Sequence, residues 1–250
     1  MIDQVEQTPL KVLIACEWTG TVRRAFDRLG HDVWSCDKRP AADGSNRHIC
    51  DDVRNHLNGW DLLIVAHPPC TRLCNSGVRW LEDPSKLKNL GEDFNDDERL
   101  IWPEMSLSDR RALMQVKLQA GAALFSDLWN APCDRIAVEN PVMHKHGKAL
   151  IRNYEPQAQS VQPWQFGDWE SKRTCLWLRG LPTLKPTYRK LEDARAGLGL
   201  DADDMPDQRV FKLSPGADRG RERSKFFDGI ANAMAEQWGG YALGQIDAVA

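Results

Sequence analysis

The stretch Asp61-Leu62-Leu63-Ile64-Val65-Ala66-His67-Pro68-Pro69-Cys70 decides the fold that the sequence predicts. Four consecutive aliphatic residues after an aspartate are typical of a β-strand that is buried on both faces of a sheet. Pro68 and Pro69 end this strand, since a proline nitrogen has no hydrogen to donate to a neighbouring strand. Cys70 therefore stands at the carboxyl end of the strand, where ligands bind in open α/β sheets. The plain alternative is that Cys70 is a small buried hydrophobe.

Length and composition indicate one large α/β domain. Of the 250 residues, 42% are apolar, which is enough for a substantial core. The polar and acidic residues 1–9 lack the basic and apolar segments of a signal peptide, and no window of the sequence has the length and apolarity of a membrane span. We therefore expect a cytoplasmic protein that does not bind a membrane.

The number of cysteines argues against a disulfide-rich protein, and the net charge does not decide whether the protein binds nucleic acid. Seven cysteines are an odd number, and reduced thiols fit them better than a disulfide framework does. The net charge of −3 gives no overall basic field that would indicate nucleic acid, although basic residues cluster at 219–225 and at Lys172-Arg173. Composition by itself thus neither indicates nor excludes DNA as a partner.

The stretch Lys11-Val12-Leu13-Ile14-Ala15-Cys16 has a second strand pattern, and Glu17-Trp18-Thr19-Gly20 interrupts it. Apolar residues then recur at helical spacing up to Gly30, so the segment predicts a strand, a tight turn and a helix. A helix N-terminus beside a strand end is a suitable cofactor site. Because the turn holds one glycine, it favours an amino-acid or sulfonium cofactor over a pyrophosphate. An ordinary turn without a ligand explains the pattern equally well.

Acidic residues follow the next two predicted strands. Asp37 comes directly after the strand at 31–36, and an acidic residue in this place commonly accepts hydrogen bonds from ribose hydroxyls. Asp51 and Asp52 follow a short strand at 47–50, although either of them can instead cap the helix that begins there. Two successive strands are thus followed by carboxylates, and a further strand is followed by Cys70. The sequence therefore favours a ligand site at the carboxyl ends of the strands.

The rest of the chain predicts further elements, and the last strand among them ends in polar residues. A polar loop is expected at 71–80, a loop or irregular insertion at 82–106, a long amphipathic helix from Ser108 to Leu128, a buried strand at 135–138, another strand at 174–178 and a C-terminal helix at 226–243. The strand at 135–138 is followed by Glu139-Asn140-Pro141. A second polar strand end therefore accompanies the one that carries Cys70.

Several of these elements resemble, in the same order, the DNA cytosine-5 methyltransferases, and in particular a small phage-type branch of them. Pro68-Pro69-Cys70 resembles the Pro-Cys nucleophile of that family, and Glu139-Asn140 resembles its Glu-Asn-Val element. The turn at 17–20 stands where the family has its glycine-containing cofactor turn. The other similar segments are 162–167, 172–178, 223–225 and 229–235, so the resemblance covers nearly the whole chain.

The resemblance implies a doubly wound, mostly parallel α/β sheet of the Rossmann-like type found in S-adenosylmethionine-dependent methyltransferases. It implies transfer of a methyl group from S-adenosyl-L-methionine to a cytosine that is flipped out of double-stranded DNA. Cys70 is then the nucleophile that adds to C6 of the base, and Glu139 holds N3 and the exocyclic amine. Lys172 or Arg173 would contact the carbonyl oxygen of the base, and a solvated basic turn is nearly as good an interpretation of this pair.

The resemblance also implies a cofactor site. The turn would lie near the methionine part of the donor, Asp37 on its ribose and Asp52 near its adenine. The implied cofactor-binding residues are Cys16, Glu17, Trp18, Thr19, Gly20, Asp37, Asp51, Asp52, Pro68 and Asn232. Two departures affect this inference. The turn lacks the Phe-x-Gly-x-Gly pattern of the broader family, and the segment 171–174 replaces its Gln-Arg-x-Arg element.

Residues 1–181 and 226–250 are expected to form the catalytic domain, with 182–225 as a short insertion. Sequence readout is expected from this insertion as a minimal target-recognition segment, from the loop at 71–106, or from hardly any element. Because this insertion is small and rich in Pro and Gly, DNA binding is expected to rely on phosphate contacts and to read few bases. The expected phosphate-contacting residues are Arg72, Arg79, Arg219, Arg221, Arg223 and Lys225. We expect a monomer, in the host cytoplasm if a phage encodes it, with restriction-modification among its possible roles.

Three other interpretations stay open at this point. His67, Cys70 and Cys74 with the distant Cys133 could hold zinc, although no second cysteine pair has ligand spacing. The chain could be a catalytically silent relative that only binds DNA. It could also keep the fold and the nucleophile while it acts on RNA or transfers a group other than methyl, and the unusual cofactor turn favours keeping this option.

Overall fold

In the computed structural model, which describes residues 8–212 and 225–247, a β-sheet forms the centre of the molecule. Its strands are β1 (Lys11–Ala15), β2 (Asp32–Asp37), β3 (His48–Cys50), β4 (Leu62–Val65), β5 (Ile136–Asn140), β6 (Gln159–Val161) and β7 (Thr174–Arg179). The described strands follow the order β3-β2-β1-β4-β5-β7-β6, in which β7 runs antiparallel to both of its neighbours and the other pairs are parallel. The predicted mostly parallel, Rossmann-like sheet is confirmed.

Helices and short turns connect the strands. The helices are α1 (Thr21–Asp27), α2 (Asn75–Val78), α3 (Asp96–Ile101), α4 (Leu107–Trp129), α5 (Lys145–Lys148), α6 (Leu191–Gly197), α7 (Arg209–Lys212), α8 (Asp228–Met234) and α9 (Gly240–Asp247). A π-helical turn at Ala235–Gly239 joins α8 to α9, so the single C-terminal helix of the prediction is divided in three. Two 3₁₀ turns follow strand ends, Val53–His56 after β3 and Thr71–Leu73 after β4.

Helices cover both faces of the sheet, which explains why residues 12–15 of β1 and 62–65 of β4 are apolar without interruption. Along β1, Val12 and Ile14 pack with α1 and α8 on one face, and Leu13 packs with α4 on the other. The neighbouring β4 alternates in the same way, with Ile64 and Leu63 on opposite faces. The doubly wound arrangement that the sequence predicts is therefore present.

The order of the strands places a switch point between β1 and β4. The chain runs outward from β1 to β2 and β3, and it then returns to β4 on the other side of β1. Ala15 pairs with Val65, so the turn after β1 and the segment after β4 leave the sheet side by side. Ligands of open α/β sheets bind at such a point, outside the carboxyl ends of the strands.

The segment at 82–106 is more regular than the sequence predicts, because it contains α3. Asn95 begins this helix with a capping box in which its side chain accepts from the backbone of Glu98 and the Glu98 side chain accepts from the backbone of Asn95. Phe94 and Trp102 pack with Met114 of α4 in a small separate core. Local capping and two aromatic anchors thus order a segment whose weak periodicity indicates a loop.

The described part of the predicted insertion 182–225 contains α6 and α7. Arg219, Arg221 and Arg223, which the sequence predicts to contact phosphates, lie outside the described residues. The proposed domain boundaries therefore stay a prediction. None of the helices in the described ranges has the length and apolarity needed to cross a membrane.

Candidate functional site

Two neighbouring strands bring the predicted nucleophile and the predicted base-binding carboxyl to one edge of the sheet. β4 and β5 are parallel, with Val65 opposite Val138, so Cys70 and Glu139 both lie at the carboxyl ends. Cys70 is half-buried, whereas Glu139 is only 6% exposed. A thiol open to a ligand and a carboxyl shielded from water therefore share this edge.

Cys74 lies next to both of these groups. Its thiol is hydrogen-bonded to Cys70 and interacts electrostatically with Glu139. Asn140 Nδ2 lies 3.8 Å from the Sγ of Cys74. The contact with Cys70 and burial raise the pKa of the Cys74 thiol, so Cys74 keeps its proton. A protonated Cys74 donates a hydrogen bond toward Cys70. Such a bond would place a donor at the sulfur that the sequence predicts to be the nucleophile.

Lys172 is the cation that faces Glu139. Burial raises the pKa of the Glu139 carboxyl, and the charge of Lys172 opposes this rise. Lys172 Nζ also lies 5.7 Å from the ring centroid of Phe227. The structure thus brings Lys172 into the site, while the neighbouring Arg173 is exposed. A carboxyl with a raised pKa holds its proton longer than an ordinary glutamate does, which suits a hydrogen-bond donor to a ring nitrogen.

Two polar atoms beside these groups are shielded from water and have no hydrogen-bond partner in the described part of the chain. They are His67 Nε2, just after β4, and Asn140 Oδ1, at the end of β5. Burial, together with the charge of Lys172, lowers the pKa of His67 to about 3, so this imidazole is neutral. A buried polar group without a partner costs about 1–3 kcal/mol. Because they lie next to Glu139, both atoms are available to a ligand at this site.

Sequence reasoning gave neither of these two residues a role in binding a substrate. The sequence indicates His67 only as a possible zinc ligand, and Asn140 only as part of the Glu139-Asn140 motif. The available signal was their position, since each lies at or just after the end of a strand whose next residues carry chemistry. Polar residues at the carboxyl ends of strands are therefore candidates for ligand binding, as the cysteine and the glutamate are.

The zinc interpretation is wrong for this fold. Cys133 precedes β5 and its thiol donates to the carbonyls of Trp60 and Arg135, whereas Cys70 follows β4. Because β4 and β5 are parallel, the two cysteines lie at opposite edges of the sheet. Among the residues that the structure describes, no three His, Cys, Asp or Glu side chains come together as a metal site.

Arg72 is not available to contact phosphate as the sequence predicts. It is 6% exposed and forms a bidentate ion pair with Asp93, with Nε at 2.7 Å and Nη2 at 3.0 Å from the two carboxylate oxygens. The guanidinium also lies 5.3 Å from the ring centroid of Phe94. Arg72 therefore fastens the segment after Cys70 to the small core around Phe94, while Arg79 stays exposed.

The turn between β1 and α1 has an unusual backbone. Cys16 has a φ of 56° and Gly20 a φ of 73°, both in the left-handed region that favours glycine. A side chain at Gly20 would also be crowded, since a Cβ there would lie 2.6 Å from Asp43 Oδ2. Asp43 in turn pairs with Arg23 and Arg24, which holds the turn against α1.

Glu17 has a structural task within this turn. It is fully buried, and its two carboxylate oxygens accept hydrogen bonds from the backbone of Val22 at 2.7 Å and of Arg23 at 3.1 Å. These are N–H groups of the first turn of α1 that lack helical partners. Burial raises the pKa of Glu17 to about 7 even though both bonds favour the charged form. The sequence predicts Glu17 as a cofactor residue, and the structure shows that it caps α1.

Thr19 and Asp37 are the polar side chains that remain for a ligand beside Cys16. Thr19 Oγ1 is shielded and has no hydrogen-bond partner among the described residues. Asp37 is half-buried and accepts one bond from the backbone of Arg39 at 2.9 Å. Its charge is felt by Cys16, because β1 and β2 are adjacent. An unpartnered hydroxyl and a partly open carboxylate fit the amine and ribose hydroxyls of S-adenosylmethionine.

The remaining predicted cofactor residues are less available. Asp52 caps the turn Val53–His56 and binds Arg54 and Lys38, contacts that hold the pKa of its carboxyl well below the usual range. The prediction that Asp51 or Asp52 can cap this helix is thereby confirmed for Asp52. Asp51 accepts a hydrogen bond from His56 at 2.8 Å. Both carboxylates are engaged within the protein, so a contact with adenine stays a prediction.

Asn232, Pro68 and Trp18 complete the predicted set. Asn232 lies on α8 and accepts a hydrogen bond from Arg28 at 2.6 Å. Arg28 follows the carboxyl end of α1, whereas Gly20 precedes its amino end, so this contact is made away from the turn. Pro68 and Trp18 are buried next to the switch point. Cofactor roles for all three stay predictions.

Comparisons with known proteins give a structural match only. No protein-family model matches the chain, and no curated protein matches it in sequence. Solved structures do match, and one of them is a methyltransferase of Entamoeba histolytica, EhMeth, with 14% sequence identity and a TM-score of 0.42. The match covers 74% of this chain and 58% of that structure, so the chain spans less than two thirds of the length of this neighbour.

Proposed function

We propose that this protein transfers a methyl group from S-adenosylmethionine to C5 of cytosine in DNA, through a covalent bond between Cys70 and C6 of the base. One observation carries the proposal. A half-buried cysteine with a thiol donor beside it adjoins a buried carboxyl of raised pKa, at the ends of two parallel strands. Nucleophilic addition to a pyrimidine needs both of these groups, one on each side of the ring.

In the proposed reaction the base lies between Cys70 and Glu139. Cys70 Sγ, as a thiolate, forms a bond to C6, the electrons of the C5–C6 double bond shift through the ring toward N3, and N3 takes the proton of the Glu139 carboxyl. C5 is then electron-rich, and S-adenosylmethionine, when bound, supplies an electrophilic methyl group. Water then takes the proton from C5, and the electron pair of that bond restores the C5–C6 double bond as Cys70 leaves C6 as a thiolate. N3 returns its proton to Glu139, which restores the free enzyme.

Lys172 and His67 would act on the other edge of the base. Lys172 faces Glu139 and carries a positive charge toward the place where the carbonyl oxygen becomes more negative. His67 is neutral and offers Nε2, which the protein itself leaves without a partner in the described residues. A flipped cytosine would therefore fill the hydrogen-bonding capacity that folding leaves unused.

The methyl donor would occupy the turn after β1. Thr19 and Asp37 would bind it there, and Glu17 would keep the turn in place through its bonds to α1. This turn and Cys70 leave the sheet side by side across the switch point between β1 and β4. The donor and the base would thus meet over adjacent strands, as methyl transfer between them requires.

Product analysis tests the proposal. The protein is incubated with S-adenosylmethionine labelled in its methyl group and with duplex DNA, single-stranded DNA or RNA, and the products are digested to nucleosides and weighed by mass spectrometry. We expect labelled 5-methylcytosine from duplex DNA. Label on RNA alone would show that the substrate is RNA and not DNA. A nucleoside of different mass would show that the transferred group is not methyl. No labelled nucleoside from any of the three would overturn the proposal.

A further inference from the structure

A groove of about 400 Å³ with both polar and apolar residues in its lining lies beside the segment that carries the proposed nucleophile. It opens between α2 on one side and α5 on the other. The polar residues that line it are Asn75, Arg79, Glu82, His144, Lys145 and His146. Apart from Arg79, none of these residues was given a role by the sequence.

The groove is held in a fixed place relative to Cys70. Cys74 and Met143 form an antiparallel bridge that joins the segment after β4 to the segment after β5. The backbone of His144 donates to the carbonyl of Leu73 at 2.7 Å. Gly147 packs against the same residue so closely that a Cβ on it would lie 3.2 Å from Leu73 atoms. The two walls of the groove are therefore fastened to each other directly behind the nucleophile.

Positive and hydrogen-bond-donating side chains line the groove together with the apolar Val78 and Leu81. Arg79 and Lys145 are exposed cations, against the single carboxylate of Glu82. The rings of His144 and His146 lie 4.8 Å apart, and burial with the charges of His146, Lys145 and Lys148 lowers the pKa of His144. His144 Nδ1 accepts a hydrogen bond from the backbone of His146, so the proton of its neutral ring lies on Nε2, which can donate.

We infer that this groove binds backbone phosphates of the nucleic acid strand whose base enters the site beside Cys70; the inference rests on the proposed function. A flipped nucleotide leaves its phosphates at the rim of the pocket, since only the base turns inward. The groove lies at the same edge of the sheet as Cys70 and offers guanidinium, ammonium and imidazole donors, the groups that usually contact phosphate oxygens. Such contacts position the strand without reading its sequence.

Salt-dependent binding tests this inference with the full chain. Fluorescence anisotropy gives the Kd of a labelled DNA duplex at several KCl concentrations for the wild type, for Lys145→Gln and Arg79→Gln, and for the control Lys11→Gln. Lys11 is exposed at the start of β1, at the opposite edge of the sheet. We expect each groove variant to weaken binding equally for all duplex sequences and to reduce the slope of log Kd against log salt by about one unit. Thermal unfolding of each variant checks that the fold is retained.

The outcomes separate this inference from the proposed function. Groove variants that bind like Lys11→Gln, while the wild type binds and methylates DNA, would overturn the inference alone. A wild type that binds no nucleic acid would overturn both. Support requires the smaller salt slope together with an equal loss of affinity for every duplex sequence, since phosphate contacts position the strand without reading its bases.

Discussion

Polar groups at the carboxyl ends of β1 and β3 differ in their hydrogen bonding from those at the carboxyl ends of β4 and β5. We call these two groups of strand ends the first and the second half. After β1 and β3, the carboxylates of Glu17 and Asp52 are occupied by backbone N–H groups and basic side chains. After β4 and at the end of β5, His67 Nε2 and Asn140 Oδ1 are shielded from water and have no partner among the described residues. The carboxylates of Glu17 and Asp52 thus stabilise the protein's own turns, although Thr19 Oγ1 in the first half also has no partner among the described residues. In the second half, His67 Nε2 and Asn140 Oδ1 remain available to a ligand.

This difference shows where a change should affect chemistry and where it should affect folding. A substitution at His67 removes a ring nitrogen, Nε2, that forms no hydrogen bond within the described part of the chain, so its effect should fall on ligand binding. Substitutions at Glu17 remove a helix cap, and their first effect falls on stability. Asp37 lies between these cases, because it makes one internal bond and is half open to a ligand.

The largest effect is expected at Glu139. Glu139→Gln should lower kcat by about 100-fold or more, because an amide can donate a hydrogen bond to N3 but cannot transfer a proton. DNA affinity should change little. The wild-type rate should fall as pH rises through the raised pKa of this carboxyl, and the variant should lack that fall. The measurement is the rate of methyl transfer against pH.

Glu104→Gln is the matched control for this change, since Glu104 is exposed on the surface. A rate within a few-fold of wild type is expected for it. If Glu139→Gln were as active as this control, the assignment of Glu139 to the base would be wrong.

The second effect is on stability and concerns Glu17. Its pKa is about 7 in the folded protein and near 4.5 in the unfolded chain, so the folded state binds the proton more tightly. Stability should therefore fall as pH rises, and the wild type should lose about 3 kcal/mol relative to Glu17→Gln between about pH 4 and pH 8. Urea unfolding of both proteins across this range measures the difference. Parallel pH curves would show that Glu17 is not buried as a carboxyl.

The smallest of these effects is expected at Asp37. Asp37→Asn should weaken the binding of S-adenosylmethionine by about tenfold, since a charge-assisted hydrogen bond contributes about 1.5–3 kcal/mol. Isothermal calorimetry gives the Kd. Asp27→Asn, at the exposed end of α1, is the control and should bind like wild type. Equal affinity in all three proteins would move the ribose contact to another residue.

The sequence predicts the sheet well because parallel strands buried on both faces are apolar throughout. β1, β4 and β5 lie where these runs predict them, and the place of Cys70 follows from the prolines that end β4. The 3-residue strand β6 has no such signal, and the sequence does not predict it. α3 was missed because its capping box stabilises a helix that lacks periodic apolar residues.

The candidate site is less predictable, because its parts meet only in three dimensions. Cys74 next to Cys70 is visible in the sequence, but its contact with Glu139 depends on the pairing of β4 with β5. The sequence predicts that Arg72 contacts a phosphate, and only the fold shows that its guanidinium is paired with Asp93. The groove with His144 and Lys145 arises where the segments after two strands are bridged, and no motif marks it.

Covalent trapping tests the central claim most directly. The protein is incubated with S-adenosylmethionine and duplex DNA that contains 5-fluorocytosine, and complexes that survive denaturation are counted on a gel. Since fluorine at C5 blocks the loss that normally frees the enzyme, the bond from Cys70 to C6 should persist. Wild type and Cys74→Ser should form the complex, and Cys70→Ser should form none. A complex with Cys70→Ser, or none with a wild type that produces 5-methylcytosine, would contradict the account.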